Sequence, residues 1–474
     1  NNRSAILSII RTVFVCLVLS ISSLIFSQDA TELVLEPIEK MLEKIKKITE
    51  NPLQAAYDEE EQAYIMSKIN QEHQIFGEEQ QNETNVLLKI IVKIGGLLAV
   101  GFGEAGSLLI VQNLNSSGAI DPMIPGNKIL AVFGFCDIRN FTDATEVLQA
   151  EVMVFVNEIA GIVHSRVNQY GGAANKNIGD AFLLVWKVIG EETKEIVHLQ
   201  GVEFEKAVKE YKPASIAADL SVYAFVKIMA DLNQNSVLTK YNTHQGLRQR
   251  IENYKVKMGF GLHIGWAIEG AIGSDYKIDA SYLSPHVNMA SRLEAATKQF
   301  GAQILISEKI AQICSEEIRS SLRKIDVVVL KGSAQPIGLY TFDGDFESLP
   351  KFCSYKPKKT SSMERKRLKF IQRGVKDNFI ISLLEGKASV GDIYKKDKTI
   401  QQARLKFSKT FFQMWEIGFE DYIRGRWNSS CQHLAEASKM VGGDGPARTL
   451  VKFMGETNFK PPENWEGYRV LSEK

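Results

Sequence analysis

Two short segments between residues 130 and 186 constrain the fold of this chain more than any other feature. The first, Ile129–Phe135, is apolar throughout, which is typical of a strand covered on both faces, and Asp137 follows it closely. The second, Ala174–Trp186, predicts a β-hairpin, because Gly179 and Asp180 separate two strand-like runs and glycine suits the first position of a type II′ turn. The two segments therefore place the carboxylates of Asp137 and Asp180 at strand ends.

The turn after Asp137 is rich in residues that begin helices, among them Asn140 and Thr142. Backbone N–H groups at a helix start favour an anion, so Phe141 and Thr142 are predicted to contact a bound phosphate group. Magnesium prefers a few carboxylates together with substrate phosphates. The segment thus predicts a site for Mg²⁺ and a nucleoside triphosphate, although an Asp after a strand is more often a helix cap or a turn residue.

Three motifs together resemble a known family. They are Phe135-Cys-Asp-Ile-Arg-Asn-Phe-Thr142, Lys176-Asn-Ile-Gly-Asp-Ala-Phe182 and Val287-Asn-Met-Ala-Ser-Arg-Leu293, and their order is that of the catalytic domain of class III nucleotidyl (adenylyl or guanylyl) cyclases. Much of the remaining chain is similar, more weakly, to large membrane-anchored cyclases of protists. The resemblance implies a ferredoxin-like α/β (α+β) domain over residues 129–343, which agrees with the order of predicted strands and helices.

The resemblance also implies roles for individual residues. Asp137 and Asp180 match the metal-binding pair of the family, and Ile138 matches the position that lends a backbone carbonyl. Asn288 and Arg292 match the residues that orient the ribose and stabilise charge in the transition state. The implied cofactor is Mg²⁺, two ions per site, with Mn²⁺ as an alternative. Without the motif, Asn288 and Arg292 would be ordinary polar residues on a helix.

The choice of base depends on Lys176 and Ser281, which match the family's two base-reading positions. Lysine is a donor that can reach the N1 acceptor of adenine, whereas guanine has an N1–H donor there, so Lys176 favours ATP. Ser281 stands where adenylyl enzymes usually have aspartate and guanylyl enzymes cysteine, and its hydroxyl can donate or accept. Lys331 matches a triphosphate-binding lysine.

In this family the metal residues and the Lys, Asn and Arg set face each other across a subunit interface. Because this chain carries both sets, the resemblance implies a homodimer with composite sites. The predicted function is a membrane-tethered cyclase that converts ATP to 3′,5′-cyclic AMP and pyrophosphate. Two alternatives are a guanylyl cyclase and a catalytically silent cyclase-like module that dimerises or regulates, and the intact metal, Asn and Arg positions favour an enzyme.

Composition excludes several other classes. The chain has 57 Lys and Arg against 56 Asp and Glu, and a net charge of +1 gives no field that would favour nucleic acid as a partner. The five cysteines are scattered without a CxxC pair, which argues against a disulfide framework or a zinc site and fits a reducing cytosol.

Residues 1–28 are predicted to form a transmembrane helix, because Ala5–Ser27 is apolar over about the 20 residues that span a bilayer. A signal peptide is the alternative, but no small-residue cleavage site comes after the apolar run. Basic residues after this segment favour a cytosolic location for the chain on its C-terminal side. The prediction is therefore a membrane protein with a single span in this chain and a cytoplasmic catalytic domain.

The remaining boundaries depend on composition. Residues 29–50 place apolar side chains at alternating intervals of four and three, which indicates either a coiled-coil seam or one amphipathic packing helix; they are Val34, Ile38, Met41, Ile45 and Ile48. Residues 51–128 are predicted as a linker with packing helices, and the GxGxxG of 101–106 lacks the βαβ unit of a dinucleotide site. Residues 344–397 are predicted as a linker, and 398–474 as a helical tail of tetratricopeptide-like character.

Overall fold

A computed structural model of the chain describes residues 2–50, parts of 86–106, 125–330 except 275, 335–351 and 362–471. Lys331 and most of the predicted linker 51–128, including nearly all of the GxGxxG segment, lie outside the described residues. The chain divides into two compact units, residues 1–121 and residues 122–474.

The first unit begins with α1 (Asn2–Ala30), which passes through a π-helical turn (Thr31–Leu35) into α2 (Glu36–Glu50). No glycine or proline interrupts α1, so nothing in its sequence ends the helix early. Within it, Ile9–Ala30 has a mean hydropathy of 2.4, is exposed along its length, and is long and apolar enough to cross a membrane. The predicted span falls in this helix. Val34, Ile38 and Ile45 of the predicted seam are exposed in the single chain.

The second unit contains a nine-stranded sheet. Its strands are β1 (Asn127–Ile138), β2 (Ala173–Ile178), β3 (Ala181–Lys187), β4 (Met258–Ser274), β5 (Lys277–Leu283), β6 (Ile304–Ser307), β7 (Leu322–Val329), β8 (Ile337–Phe342) and β9 (Arg469–Val470). Their order is β2-β3-β1-β4-β6-β8-β7-β9, and β5 pairs with the far end of β4. The β2–β3 hairpin with Gly179 and Asp180 at its tip confirms the hairpin prediction.

Helices connect and cover these strands. They are α3 (Phe141–Leu148), α4 (Val152–Gln169), α5 (Thr193–Ile196), α6 (Gly201–Glu210), α7 (Lys212–Gln234), α8 (Ser236–Asn242), α9 (Gln245–Arg250), α10 (Pro285–Phe300), α11 (Glu308–Ile313), α12 (Glu316–Arg319), α13 (Ser362–Leu384), α14 (Val390–Lys396), α15 (Lys398–Arg404), α16 (Lys409–Ile423), α17 (Trp427–Met440) and α18 (Gly445–Gly455). Two 3₁₀ turns, Gln149–Glu151 and Phe346–Ser348, complete the set.

The two faces of the sheet carry separate apolar clusters, because alternate strand residues point to opposite sides. One face is covered by α4 and α7, with Phe155, Trp186 and Phe225 in its core. The stretch Phe141–Gln169 is also long and apolar enough to span a membrane, but α4 buries Phe155 and Ile159 against this face and is a core helix. The other face carries α10 and the C-terminal helices, with Phe300 and Tyr422 in its core.

The segment predicted as the linker 344–397 contains two helices, α13 and α14. They form because the basic sequence also carries apolar residues, and Phe379, Ile380 and Leu383 of α13 pack on the first cluster. The last helices, α16 to α18, lead to β9, which extends the sheet by pairing in parallel with β7.

Candidate active site

The two predicted metal ligands meet at one edge of the sheet. β1 pairs with β3 so that Asp137 lies opposite Ala181, directly after the hairpin tip that carries Asp180. The backbone N–H of Ile138 donates to the carbonyl oxygen of Asp180 at 3.2 Å. The Asp180 carboxyl is also near enough to the Asp137 carboxyl to raise its pKa. Strand pairing thus brings together two carboxylates that are 43 positions apart in the sequence.

A third carboxylate, from α10, faces the same edge. Glu294 is 8% exposed, and its Oε1 lies 2.8 Å from Nη2 of Arg139 but accepts no hydrogen bond from any described residue. Nη2 of Arg139 donates instead to Oγ1 of Thr297, while Nη1 lies 3.4 Å from Oδ2 of Asp137. Nζ of Lys298 lies 3.6 Å from the same Asp137 oxygen. Three carboxylates are therefore matched by two cations.

The pKa directions reflect this excess of negative charge. Burial, followed by repulsion from Glu294 and Asp180, raises the pKa of Asp137 to about 7. Burial also raises the pKa of Glu294, against the opposing effect of Arg139. Two neighbouring carboxylates that both resist ionisation would be stabilised by an added cation.

A glycine makes the cluster sterically feasible. A Cβ at Gly259, on β4 opposite Asp137, would overlap the guanidinium of Arg139 and approach Oε1 of Glu294. Glycine is the residue that lets a backbone pass so close to other groups. A side chain at this position would require the Arg139 guanidinium to move from its place beside Glu294.

This donor set fits a divalent cation that a substrate shares. Asp137 and Asp180 offer hard oxygen ligands, and Oε1 of Glu294, although ion-paired with Arg139, accepts no hydrogen bond within the described part of the chain. Among the described residues, no three His, Cys, Asp or Glu side chains are arranged as a complete metal cage. Magnesium does not require one, because it keeps water and phosphate oxygens as ligands.

Phe141 and Thr142 form the first turn of α3, next to Asp137. Asn140 precedes them in the left-handed region, with φ 57°, and its side chain does not cap the helix. Thr142 is exposed, whereas Phe141 packs partly against the core. The first N–H groups of α3 therefore lack a side-chain cap and suit an anionic group.

The two predicted base-reading positions, Lys176 and Ser281, lie on β2 and β5. Nζ of Lys176 lies 3.6 Å from Oδ2 of Asp279, and Nζ of Lys277 lies 3.7 Å from the same oxygen. Ser281 is buried, at 8% exposure, two residues along β5 from Asp279 and on the same face of the strand. The structure thus supplies a carboxylate beside Lys176, although Ser281 is not one.

Asn288 and Arg292 lie one helical turn apart on α10, Asn288 exposed and Arg292 partly buried. At 100° per residue, Arg292 points about 160° away from Glu294, the residue that faces Asp137. Within one chain, α10 therefore presents Glu294 and Lys298 to the two Asp residues and turns Asn288 and Arg292 elsewhere. The predicted triphosphate-binding residue, Lys331, lies outside the described residues.

Sequence reasoning missed four residues of this region. Arg139, Glu294 and Lys298 belong to the carboxylate cluster, and Asp279 belongs to the Lys176 pair. Arg139 lies inside the first family motif and Glu294 directly follows the third. The sequence does not show that they pair, because they are more than 150 positions apart. Asp279 could have been found by asking which acid lies two residues from Ser281 on one strand face.

Comparison with protein families gives two matches. The profile of the adenylate and guanylate cyclase catalytic domain matches residues 128–344, and that of the all-helical domain of RasGEFs matches residues 1–115. The second match includes the predicted membrane span, so the apolar helix also fits an all-helical N-terminal domain.

Individual proteins agree with the first match. The chain is 27% identical over 209 residues to an adenylate cyclase of Anabaena cylindrica, covering 44% of this chain and 35% of that protein. It is 26% identical over 223 residues to the terminal-differentiation-specific adenylate cyclase of Dictyostelium discoideum, covering 46% of this chain and 9% of that protein. The chain therefore matches about a third or less of the length of these relatives.

Solved structures give similar matches at low identity. A bacterial light-regulated adenylyl cyclase superposes with a TM-score of 0.40 at 21% identity, covering 63% of this chain and 71% of that one. A guanylyl cyclase superposes with a TM-score of 0.33 at 21% identity, covering 49% of this chain and 98% of that one.

Proposed function

Because residues 128–344 belong to the class III adenylyl/guanylyl cyclase catalytic family, we propose that this chain converts ATP to 3′,5′-cyclic AMP and pyrophosphate. The family generally uses divalent metal ions and a nucleoside triphosphate substrate. The observation that carries the proposal is the meeting of Asp137 and Asp180 at one sheet edge, with negative charge left uncompensated beside them. The adenylate cyclase relatives from two organisms support the choice of reaction.

In this proposal Asp137, Asp180 and the backbone carbonyl of Ile138 would hold two Mg²⁺ ions. Ions held there would supply activation of the ribose 3′-hydroxyl and neutralisation of charge on the leaving pyrophosphate. The N–H groups at the start of α3 bind phosphate oxygens. Arg292 offers a planar fork of donors to the phosphoryl oxygens, and Asn288 orients the ribose.

Lys176 and Asp279 support adenine as the base. Along its Watson–Crick edge adenine presents an N6–H donor followed by the N1 acceptor, whereas guanine presents the O6 acceptor followed by an N1–H donor. With the ribose held in one place, a carboxylate can accept from N6–H of adenine while the neighbouring lysine donates to N1. The same two groups would face O6 and N1–H of guanine with the wrong polarity. Asp279 then takes the acceptor role that Ser281 does not fill by itself.

The buried hydroxyl of Ser281 is compatible with a second candidate, a guanylyl cyclase. A hydroxyl can rotate to accept or donate, so this position does not exclude guanine. The test is direct. The full-length chain in detergent is assayed with ATP and with GTP separately, in Mg²⁺ and in Mn²⁺. Faster turnover of ATP supports the proposal, faster turnover of GTP supports the second candidate, and no turnover of either overturns both.

The orientation of α10 supports a composite site in a homodimer. Since Asn288 and Arg292 point away from Asp137 within one chain, a second chain is needed to bring them to the metal residues. Co-expressed Asp137→Ala and Arg292→Ala chains should regain about a quarter of wild-type activity, because half of randomly paired dimers are mixed and each holds one intact site. Each variant alone should be inactive. An inactive mixture, with heterodimers isolated through different tags, would contradict the composite site.

The apolar helix α1 supports membrane attachment, with the second unit on the cytoplasmic side. Its exposed apolar surface over Ile9–Ala30 is what a lipid-facing helix requires. Full-length protein should partition with membranes, and a chain that starts at residue 31 should not. Recovery of the full-length chain in the soluble fraction without detergent would favour the all-helical domain interpretation of this segment.

A further inference from the structure

The helix that carries Asn288 and Arg292 is packed between the sheet and the C-terminal helices. Met289, Leu293, Ala296 and Phe300 form one stripe along α10, at intervals of four, three and four. This stripe shares a buried cluster with aromatic and aliphatic residues of α16 to α18, namely Trp415, Tyr422, Trp427, Leu434, Leu450 and Met454. The family profile ends at residue 344, so this half of the cluster lies outside the matched domain.

The end of α10 is held by direct contacts with α18. Oγ1 of Thr449 donates to the carbonyl oxygen of Gln299 at 2.9 Å. A Cβ on Gly445 would overlap the carbonyl oxygen of Gly301, the residue that ends α10. The absence of a side chain at Gly445 thus allows the two backbones to touch, and α10 cannot shift along its axis without moving α18.

A first buried ionic group joins the sheet to these helices. The guanidinium of Arg323, on β7, makes two hydrogen bonds with Asp343 after β8, both at 2.7 Å. It makes two more with Asp444, at 2.8 and 3.2 Å, and Asp444 caps α18 through Ala447. The same guanidinium lies 4.0 Å from the ring centre of Trp415 on α16. One side chain, 4% exposed, therefore ties β7, β8, α16 and α18 together.

A second ionic group lies at β9. Nε of Arg469 donates to Oδ2 of Asp326 on β7 at 2.7 Å, and the hydroxyl of Tyr422 donates to the other Asp326 oxygen at 3.2 Å. The Arg469 guanidinium lies 5.3 Å from the ring centre of Phe300, the last residue of α10, and 4.7 Å from that of Phe453. Arg469 therefore contacts the helix that carries Asn288 and Arg292.

We propose that residues 409–471 form a clamp that positions α10, with Arg323 and Arg469 as positioning residues for Asn288 and Arg292. The clamp residues act through packing and touch no substrate. The kinetic part of this inference rests on the proposed function. A small displacement of α10 would misplace two groups that orient the substrate, and a shift of about 1 Å can lower a rate about a hundredfold.

The test uses the full-length chain with Asp444→Asn and Arg469→Lys. Asparagine still caps a helix, so Asp444→Asn weakens the Arg323 contact and spares the cap. Arg469→Lys keeps the charge but loses the planar fork. Arg424→Gln is the matched control, because Arg424 is an exposed clamp arginine whose partner, Glu420, is also exposed.

Three quantities are measured: amide hydrogen exchange of residues 285–300, kcat and KM for the preferred nucleotide, and Mn²⁺ affinity by electron paramagnetic resonance. We expect both variants to exchange faster in α10 and to lose about tenfold in kcat, with Mn²⁺ affinity within about twofold of wild type. The control should match wild type in all three. A general loss of structure would instead lower Mn²⁺ affinity together with kcat.

Unchanged exchange in α10, together with wild-type kcat in both variants, would show that the C-terminal helices are an independent module and would overturn the proposal. If Asp444→Asn does not fold, Arg469→Lys alone decides the question, because the ionic group of Arg469 is separate from that of Arg323. Hydrogen exchange needs no nucleotide. If the wild-type chain turned over neither ATP nor GTP, the proposed function would fail, and exchange in α10 would still decide whether the clamp holds the helix.

Discussion

Two groups of charged side chains in the second unit have similar composition and opposite character. At the sheet edge, three carboxylates share two cations, and Oε1 of Glu294 accepts no hydrogen bond from the residues that the structure describes. Around Arg323, two carboxylates fill four hydrogen bonds of one guanidinium. The first group is left short of positive charge, as a site for a cation should be, and the second is satisfied within the protein, as a structural link should be. Charge alone therefore does not identify a site, but the degree of compensation does.

Removing a carboxylate from the sheet edge should have the largest effect on turnover. Asp137→Asn or Asp180→Asn should lower cyclisation by about a hundredfold to a thousandfold or more, because a metal ligand is lost. The free energy of unfolding should stay constant or rise by about 1 kcal/mol, since like-charge repulsion is relieved. Turnover and urea denaturation measure the two effects. Glu385→Gln, at an exposed acid beside Lys387, is the control, and unchanged turnover in both site variants would remove the metal interpretation.

The opposite result is expected at Arg323. Arg323→Leu leaves Asp343 and Asp444 buried without their cation and should lower the free energy of unfolding by about 3–5 kcal/mol. The exposed pair of Arg424 and Glu420 provides the reference. Arg424→Leu should change the free energy of unfolding by less than about 0.5 kcal/mol. Urea denaturation of the full-length chain gives both values. Equal effects at the two arginines would mean that the buried group is not a link.

The pair of Lys176 and Asp279 lies between these extremes, with side chains 27% and 48% exposed. Asp279→Asn should lower the ratio of ATP to GTP turnover by about tenfold, the equivalent of one weakened hydrogen bond to a charged group. Lys176→Glu should lower ATP turnover far more than GTP turnover. Lys277→Gln, which alters the other cation near Asp279, should leave the ratio unchanged. Equal loss with both nucleotides would show that the pair does not read the base.

A further contrast is a buried pair of histidines beside a lysine. Nε2 of His263 lies 3.1 Å from Nδ1 of His286, and burial together with repulsion from Lys309 lowers the pKa of His286 from 6.5 to about 4, against the weaker attraction of Glu205. A folded-state pKa below the unfolded value means that the unfolded chain binds more protons. Stability should therefore fall as the pH is lowered from 6.5 to about 4, by on the order of 2 kcal/mol.

The His286→Gln variant should show a smaller loss of stability over the same pH range, as measured by urea denaturation. His198→Gln, at an exposed histidine, serves as the control and should follow the wild-type pH dependence. A wild-type slope in His286→Gln would show that the pair does not cause the acid sensitivity.

The sequence by itself predicted the parts of this protein that depend on local pattern. The apolar run before Asp137 and the Gly179 turn predicted β1 and the β2–β3 hairpin. The motifs led to the family, and they named Asp137, Asp180, Asn288 and Arg292, whose roles remain predictions. Local patterns are reliable here because strand burial and turn geometry depend on residues that are close together in the chain.

Only the tertiary structure decided which distant charges meet. Arg139 pairs with Glu294, Lys176 with Asp279, and Arg323 with Asp444, and each pair is separated by about a hundred residues or more. The tertiary structure also decided which element covers α10. A stripe of apolar residues indicates that one face of a helix is buried, but it does not identify the C-terminal helices as the partner. Such pairings depend on strand order and register, which bring distant residues side by side. The separation of two residues in the sequence does not predict whether they meet in this way.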